Sequence, residues 1–358
     1  MTGIPDPSSL RILVIGDYSH IKSQYPERTT LLWTGARSPA DPRAIDGMAT
    51  PGRVMRALRE AREGKYDVVV AYPHRYSAWH PRYWFRGLLS TPLHPWAGLT
   101  RAFGVSLLRW RDPKVPVVAV DMGDAFSIPR SAIFLLDRAA VFLKRELPVD
   151  NWQVFYGSAH PNLPTLRFRK KPRWQRRLRK LRPISLPLID FDPAMRLADF
   201  PDKTHDIFFV GGVDGNSSVR AAGLPELERL KALGYKIDQP TQRLDRRAYL
   251  ERMSHSWIAW SPEGLGWDCN RHYEAAIAQS VPLMNHPTII RHAPMLEGVH
   301  GLYYDPEPGG LERRAVAALA DKDHLRAMAT AARDHAFAHT TVAAHCDYIL
   351  RCAFDPAV

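Results

Sequence analysis

Cysteine is scarce in this sequence, with three residues among 358: Cys269, Cys346 and Cys352. None of them forms a CxxC pair, and an odd number cannot be paired completely within one chain. This usage argues against a disulfide framework and against structural zinc, and it predicts a reducing compartment. Histidines and cysteines nowhere show the spacing of metal ligands, so we expect no bound metal.

Long apolar runs are also missing. None approaches the roughly 18–20 residues that a membrane-spanning helix needs. Residues 1–10 carry neither a positive segment nor an apolar core, so no signal peptide is expected. Together with the scarce cysteines, these absences predict a cytoplasmic protein.

Acidic residues are absent from one segment, residues 167–182, which holds ten lysines and arginines. The whole chain has a formal net charge of +12, so the remainder carries +2 (12 − 10). Phe168, Trp174, Leu178 and Leu181 lie among the basic residues. This mixture favours contact with an anionic surface, either the inner face of a membrane or an acidic glycan. A solvated loop and a nucleic-acid contact are the alternatives, and no base-reading motif accompanies the latter.

Short apolar runs alternate with helical patterns along the chain. The clearest strand candidates are Arg11–Gly16, Asp67–Tyr72, Val115–Asp121 and Ala139–Leu143, and a second series begins with Asp206–Val210. Strands that alternate with helices predict α/β, doubly wound domains with parallel sheets. The length of the chain accommodates two domains of ordinary size.

Weaker patterns complete the prediction. Residues 21–50 are polar and irregular, which predicts a long loop or an insertion. Val154–Tyr156 and Ile184–Ile189 are predicted as further strands, and His324–Leu350 is predicted to be helical.

Residues 257–285 form the most complete pattern, a βαβ unit. A buried strand at Trp257–Ser261 is followed by a glycine turn, a helix from about Asn270 to Gln279 and a second strand at Val281–Asn285. In parallel sheets, ligands bind at the carboxyl ends of the strands, where the helix N-termini also point. The start of this helix would offer free N–H groups and a positive dipole end to an anion.

The side chains of this unit suit a nucleotide diphosphate. Gly264 and Gly266 would let a ligand approach the backbone. Arg271 and Glu274 are three residues apart and so lie on one face of the helix. An arginine pairs two phosphate oxygens at once, and a carboxylate accepts hydrogen bonds from ribose hydroxyls. The alternative is a surface salt bridge between the two. Asn270 is predicted to cap the helix, with a donor contact as its second role.

This stretch resembles the donor-binding segment of GT-B glycosyltransferases, most closely the exostosin-like and spore-maturation-type branch. The resemblance covers roughly residues 204–350. Two features differ: ten residues between Glu263 and Glu274 exceed the spacing of the common retaining pattern, and Gln279-Ser280 replaces a usual glycine. The matching residues are Ser261–Gly266 in the turn, Arg271, Tyr273, Glu274 and Ala275 on the helix, and Val281, Pro282 and Leu283 on the strand.

The resemblance implies the domain organisation. Two Rossmann-like doubly wound domains would face each other across a cleft, the first binding the acceptor and the second the nucleotide sugar. We place them at residues 1–189 and 206–335, with a linker at 190–205. The last segment, 336–358, would be a helix that crosses back to the first domain.

The resemblance also implies further donor contacts. Gly211 and Gly212 resemble the first donor loop of the family, and Arg220 would reach the same diphosphate as Arg271. The alternative is a pair of turn glycines beside a surface arginine. Glu263 would either contact the donor sugar or cap a turn.

Two candidates lie in the first domain. Asp124 follows the third strand and is our candidate for the base that deprotonates the acceptor hydroxyl. A helix cap or loop contact is the simpler interpretation, and retaining members of the fold use no conventional base. Lys144 follows the fourth strand in a Lys-Arg-Glu sequence found in many relatives, where a cation would stabilise the leaving phosphate.

The predicted function is transfer of a sugar, without metal or further cofactor, from a nucleotide-diphosphate sugar to a hydroxyl of a glycan or lipid-linked acceptor. Bacterial surface polysaccharide synthesis is the expected setting. A nucleotide-sugar epimerase or a glycoside phosphorylase of the same fold remains an alternative. So does a non-catalytic, basic protein associated with membranes or nucleic acid.

Overall fold

The chain folds as two compact units, Met1–Ile184 with His345–Val358, and Ser185–Ala344. No helix in the described part of the chain is both long and apolar enough to cross a membrane. The structure, a computed structural model, describes residues 5–35, 44–73, 104–156, 171–196, 198–212 and 217–355.

The first unit is built on a parallel sheet. Its described strands are β1 Ile12–Gly16, β2 Thr29–Trp33, β3 Gly47–Met48, β4 Val68–Ala71, β5 Val117–Asp121, β6 Val141–Lys144 and β7 Leu181–Pro183. Their order is β3-β2-β1-β4-β5-β6-β7. Every residue of β1, β4, β5 and β6 is buried, as expected of parallel strands covered on both faces.

Short helices cover this sheet. They are α1 His20–Gln24, α2 Pro51–Arg62, α3 Leu135–Arg138 and α4 Gln175–Leu178, with single 3-10 turns at Val105–Arg109, Asn151–Phe155 and Pro172–Trp174. Helix α2 begins where the Thr50 side chain accepts a hydrogen bond from the Arg53 amide and Pro51 follows. It ends before Gly64, whose φ of 86° suits glycine.

One apolar cluster lies beneath these helices. It joins one face of the sheet to buried residues of α2, of the 105–109 turn and of α3. Trp174 and Leu178, at the start and within α4, pack against the same cluster. These helical segments therefore lie on the same side of the sheet.

The second unit contains β8 His205–Phe208, β9 Ile237–Asp238, β10 Ser256–Trp260, β11 Val281–Asn285 and β12 Leu302–Tyr304. All pairs are parallel, in the order β12-β11-β10-β8-β9. The chain passes from β8 outwards to β9 and returns to β10 on the other side of β8. The carboxyl ends of β8 and β10 therefore flank a topological switch point, where ligands bind in open α/β sheets.

Six helices complete the described part of the chain: α5 Ser218–Ala232, α6 Arg246–Ser254, α7 Asn270–Ile277, α8 Gly310–Leu319, α9 Lys322–His339 and α10 Val342–Phe354. Asp245 caps α6, because its Oδ1 accepts a hydrogen bond of 2.9 Å from the Ala248 amide. Ser217 caps α5 in the same way.

The predicted loop at residues 21–50 is wrong, because this region contains β2 and β3. Strand β2 pairs with β1 over its whole length, and four of its five residues are buried. Polar flanking residues hide this short apolar run in the sequence. Pairing with β1 and burial in the sheet, and not the local composition, stabilise this segment as a strand.

Two further predictions are corrected. Val154 lies in a 3-10 turn because Asp150 accepts a hydrogen bond from the Trp152 amide and starts the turn. The strand predicted at 184–189 lies earlier, at β7, and Leu188 forms only an isolated bridge. The prediction that 324–350 is helical is confirmed: the region contains α9 and α10, with Thr340 ending the first.

Candidate functional site

The predicted donor residues of the second unit meet at its topological switch point. Gly211 and Gly212 follow β8, and the loop 261–268 follows β10. Helix α7 starts directly after that loop. Cys269, and not Asn270 as predicted, is the N-cap residue, and its side chain makes no capping hydrogen bond. Asn270 is instead the exposed first residue of the helix.

Arg271 is a buried cation with unused hydrogen-bond donors. Only 8% of the residue is exposed. Its Nε and Nη1 atoms are buried and have no hydrogen-bond partner among the residues that the structure describes. The guanidinium lies over the ring of Phe209, 5.4 Å from its centroid. A buried donor without a partner costs about 1–3 kcal/mol, and a charged donor costs more, up to several kcal/mol. The site therefore needs an acceptor.

Arg220 lies beside it, also buried, with 7% of the residue exposed. Its Nε donates to the Glu263 carbonyl and its Nη1 to the Gly212 carbonyl, both at 2.9 Å. Arg220 thereby joins the loop after β8 to the loop after β10. This contradicts the interpretation of Arg220 as a surface arginine.

Two glycines make room for these arginines. A Cβ at Gly211 would lie 2.6 Å from Nη2 of Arg271, and one at Gly264 would lie 2.8 Å from Nη2 of Arg220. The prediction assigned these glycines to the close approach of a ligand. In the structure, the groups that approach the glycine backbone are the arginine side chains. Gly266 closes the turn, because its carbonyl accepts a hydrogen bond from the Gly264 amide.

The two guanidiniums repel each other. Burial and then the charge of Arg271 lower the pKa of Arg220. Among the described residues, the partners of Arg220 are neutral carbonyls, and no acidic side chain forms an ion pair with Arg271. A bound anion would supply the missing negative charge and the missing acceptors at once.

Glu274 does not form the predicted alternative, a salt bridge with Arg271. Its Oε1 accepts a hydrogen bond of 2.5 Å from Nη1 of Arg246, and its Oε2 accepts one of 2.8 Å from the Tyr249 hydroxyl. Arg246 also donates to the carbonyls of Ile189 and Asp190. The carboxylate is therefore held by α6, in one orientation, on the same helix as Arg271.

The loop after β10 is held by a neutral histidine. His272 is fully enclosed, and burial lowers its pKa to about 3. Its Nε2 must carry the proton, because it lies 2.9 Å from the carbonyl oxygen of Trp267. Its Nδ1 then accepts a hydrogen bond of 2.7 Å from the Ser261 hydroxyl. The ring thus joins the start of the loop to its end.

Asn285 holds the middle of the same loop. Its Oδ1 accepts a hydrogen bond of 2.9 Å from the Glu263 amide, and its Nδ2 donates to the Glu263 carboxylate at 3.2 Å. Burial raises the pKa of Glu263, although Asn285 and Arg220 oppose this effect. Glu263 is therefore a half-buried carboxyl group fixed next to the arginine pair.

Four residues of this site were missed by the sequence analysis: Arg246, Tyr249, His272 and Asn285. They contact the predicted residues from other elements or from the opposite side of α7. Only the spacing of Arg246 and Tyr249, which places both on one face of α6, could have indicated a shared partner.

In the first unit, Lys144 is completely buried. Its Nζ donates to Oδ2 of Asp121 at 3.0 Å and to the Ala125 carbonyl at 2.6 Å. These contacts favour a role inside the unit over contact with a leaving phosphate. Asp124 forms an ion pair with Arg145, and 40% of its side chain is exposed. It keeps enough free surface to meet an acceptor.

The basic segment is described only from residue 171, and residues 167–170 lie outside the described part. Trp174 and Leu178 pack against the core of the first unit, and Leu181 is buried in β7. These three described apolar residues therefore face inwards. In the described ranges, no group of three His, Cys, Asp or Glu side chains is arranged to hold a metal ion.

No family model and no curated protein matches the sequence. Solved structures match its fold. A glycosyltransferase from Rickettsia africae ESF-5 is 10% identical, with a TM-score of 0.53 over 96% of this chain and 97% of the other. Anabaena Alr3699/HepE, solved in complex with UDP, is 12% identical, with a TM-score of 0.51 over 95% and 98%.

A third similar structure is the apo form of the lipopolysaccharide outer core galactosyltransferase WaaB. It is 11% identical, with a TM-score of 0.51 over 97% of this chain and 99% of the other. At this identity the similarity concerns the fold. It confirms the predicted fold class: the chain has two parallel-sheet α/β units of the GT-B type.

Proposed function

We propose that this chain is a glycosyltransferase that takes its sugar from a nucleotide-diphosphate sugar. One observation carries the proposal: Arg271 has two buried N–H donors without a partner, beside a second buried arginine, at the switch point of a GT-B fold. Diphosphate is an anion that two arginines can match in charge and in hydrogen bonds. The start of α7 adds further free N–H groups.

The proposed reaction follows from this placement. The bond between the anomeric carbon and the phosphate oxygen breaks, and its electron pair goes to the diphosphate. An acceptor hydroxyl forms the new bond to that carbon and releases its proton to a base or to solvent. Because negative charge grows on the diphosphate in the transition state, Arg220 and Arg271 would stabilise the transition state more than the bound substrate. Asp124 remains the candidate base.

Glu274 is proposed to bind the ribose. Each of its carboxylate oxygens accepts one hydrogen bond from α6 and keeps a free lone pair. The two ribose hydroxyls could donate to these positions. Glu263 is proposed to face the donor sugar. Gly212 would contribute to the wall of the same site, and Asn270 would lie at its rim.

The finer assignments rest on the sequence resemblance and on similar structures. HepE bound to UDP and the galactosyltransferase WaaB make UDP and hexosyl transfer the first choices to test. We also propose membership of the exostosin-like branch, catalysis without metal or further cofactor, and a glycan or lipid-linked acceptor. Bacterial surface polysaccharide synthesis at the inner face of the membrane is the setting that fits such an acceptor.

A thermal-shift panel of UDP, GDP, ADP, dTDP and CMP, on the wild type and on Glu274→Ala, tests the proposal. A ligand at about 100 times its Kd adds roughly 2.7 kcal/mol to the free energy of unfolding. We expect one nucleoside diphosphate to stabilise the wild type and to lose much of its effect on the variant. If none of the five stabilises the wild type, the proposal fails.

A second assay separates the alternatives of the same fold. The sugar nucleotide that matches the stabilising base is incubated without an acceptor. An epimerase would convert the sugar, and a glycoside phosphorylase would act on a glycoside only when phosphate is present. A transferase would at most hydrolyse the donor slowly. Rapid conversion of the sugar without an acceptor would contradict the proposal.

A further inference from the structure

The net positive charge of the chain lies in four segments of the first unit: residues 51–65, 105–114, 135–138 and 171–182. Together they hold sixteen lysines and arginines and four acidic residues, a net charge of +12. The formal net charge of the whole chain is also +12. The remaining residues are therefore balanced in charge, and the basic character belongs to these segments.

These segments form one layer. Helix α2 packs against the 105–109 turn, this turn against α3, and α3 against α4. Arg138 donates a hydrogen bond of 2.7 Å to the Arg109 carbonyl, and Arg177 forms an ion pair with Asp137. The same apolar cluster lies beneath all four, on one face of the sheet. The outer surface of this layer is therefore continuous.

Helix α2 contributes four arginines to that surface, although residues 171–182 carry the larger net charge. Arg53, Arg56, Arg59 and Arg62 are all exposed, whereas the opposite face of the helix is buried in the core. Of the two acids in this segment, Glu60 is paired with Lys65 at 2.9 Å, and Glu63 lies next to Arg62 in the sequence and four residues after Arg59. Within the described ranges, none of the four arginines forms an ion pair.

Trp110 lies in the same layer between two exposed arginines, Arg109 and Arg111. Its exposed fraction is 54%, although a tryptophan side chain normally buries most of its surface. Tryptophan is enriched at the boundary between lipid and water, because its ring is apolar and its N–H is polar. An exposed tryptophan among arginines is therefore suited to the headgroup region of a bilayer.

We infer that this basic layer binds an anionic lipid bilayer. Its charge is spread across a layer of four elements, and it presents an aromatic side chain to the headgroups. Nucleic acid would be attracted by the charge alone, and the chain has no base-reading motif to add to that attraction. The inference does not depend on the proposed transferase activity, although it agrees with a lipid-linked acceptor.

Co-sedimentation of the full chain with vesicles tests the inference. One set of vesicles is phosphatidylcholine alone, and the other is phosphatidylcholine mixed with phosphatidylglycerol. We expect binding to the anionic vesicles at low salt and a strong loss of binding at about 0.5 M salt, where the Debye length shrinks to a few ångströms. The variant Arg53→Gln, Arg56→Gln, Arg59→Gln, Arg62→Gln should bind on the order of 1,000-fold more weakly.

A matched variant controls for the loss of four charges. Lys236→Gln, Arg243→Gln, Arg247→Gln and Arg326→Gln remove four exposed cations from the second unit and should leave vesicle binding unchanged. A Trp110→Ser variant should lose the part of the binding that survives high salt. Circular dichroism and cooperative thermal unfolding show that each variant is folded.

Three results would overturn the inference. The wild type might sediment equally with neutral and anionic vesicles, or not at all at low salt. The two quadruple variants might lose binding equally. Retention on duplex DNA at a salt concentration at which anionic vesicles are not bound would favour nucleic acid as the partner.

Discussion

The guanidinium of Arg271 occupies the space that a side chain at Gly211 would need. A Cβ at position 211 would lie 2.6 Å from Nη2 of Arg271. The clash would involve the flexible end of a side chain and not the backbone, so it could be relieved by moving the arginine. The absence of a side chain at Gly211 therefore leaves room for the guanidinium of Arg271. A substitution at this position should change the affinity for the ligand more than the stability of the fold.

We predict that Gly211→Ala weakens nucleoside diphosphate binding about tenfold or more, because a displaced guanidinium loses charge-assisted hydrogen bonds. The free energy of unfolding should change by less than about 1 kcal/mol, since the arginine can move without a change in the backbone. Calorimetric titration and chemical unfolding measure the two effects. Gly52→Ala, where an added Cβ meets nothing within 4 Å, should leave affinity unchanged. Equal affinities of the two variants would contradict the prediction.

A second prediction concerns stability in the absence of ligand. Arg271→Met removes a buried charge without a hydrogen-bonded partner and relieves its repulsion of Arg220. We expect the free energy of unfolding to rise by about 1–3 kcal/mol. Arg220→Met should instead lower it, because the carbonyls of Glu263 and Gly212 lose their donors. A stability loss in both variants would show that Arg271 has a structural partner.

Part of the candidate site could be predicted from the sequence. Arg271 and the loop before it were predictable because the βαβ pattern at 257–285 places them on consecutive elements. Gly211, Gly212 and Arg220 were identified through the resemblance to GT-B glycosyltransferases. The partners of Glu274 were not predictable, because Arg246 and Tyr249 reach it from α6, whose own pattern says nothing about α7. The strand β2 was missed for a similar reason, since its pairing with β1 depends on the sheet and not on local composition.

The extent of the basic surface could also not be predicted from the sequence alone. The sequence shows the density of basic residues at 167–182, and it shows that this segment also contains tryptophan and leucine. Only packing reveals that Trp174 and Leu178 face the core and that α2 continues the basic surface. Lys144 is a third case, because its partner Asp121 lies on the neighbouring strand.

Glu274→Gln tests the assignment of the ribose. The amide keeps the size of the side chain but loses one acceptor oxygen and the charge. We predict that it weakens binding of the nucleoside diphosphate about tenfold, whereas pyrophosphate, which has no ribose, binds as to the wild type. Competition titrations measure both ligands. An equal loss for pyrophosphate would assign Glu274 to the phosphates or to the fold.

His272 predicts a pH dependence of stability. Its pKa in the folded chain is about 3, below the value of about 6.5 for an exposed histidine. Protonation therefore favours the unfolded chain, and the free energy of unfolding should fall as the pH falls from about 6.5 towards 3, by up to a few kcal/mol. The burial of His292, with a pKa of about 4, contributes in the same direction.

His272→Phe should flatten this pH dependence and lower the stability at pH 7 by about 2–4 kcal/mol, because two hydrogen bonds are lost. Urea unfolding at a series of pH values measures both. His324→Gln, at an exposed position at the start of α9, serves as the control and should follow the wild-type curve. If the curves of His272→Phe and the wild type are parallel, His272 is not the titrating group.

The Lys144–Asp121 pair gives a further prediction. Lys144→Met leaves a buried carboxylate without its cation and should lower the free energy of unfolding by about 3–5 kcal/mol. Adding Asp121→Asn should restore part of this loss, because the neutral amide needs no cation. Nucleotide affinity should be the same in both folded variants and the wild type. A selective loss of affinity in Lys144→Met would restore the predicted phosphate contact.

The central claim is that Arg271 binds the diphosphate of the donor, and calorimetry tests it most directly. The nucleoside diphosphate selected by the thermal-shift panel and the corresponding nucleoside without phosphate are titrated into the wild type and into Arg271→Met. We predict that the wild type binds the diphosphate at least about 100-fold more tightly than the nucleoside. In Arg271→Met most of this difference should disappear while the affinity for the nucleoside remains. If the variant retains the full preference for the diphosphate, the claim is contradicted.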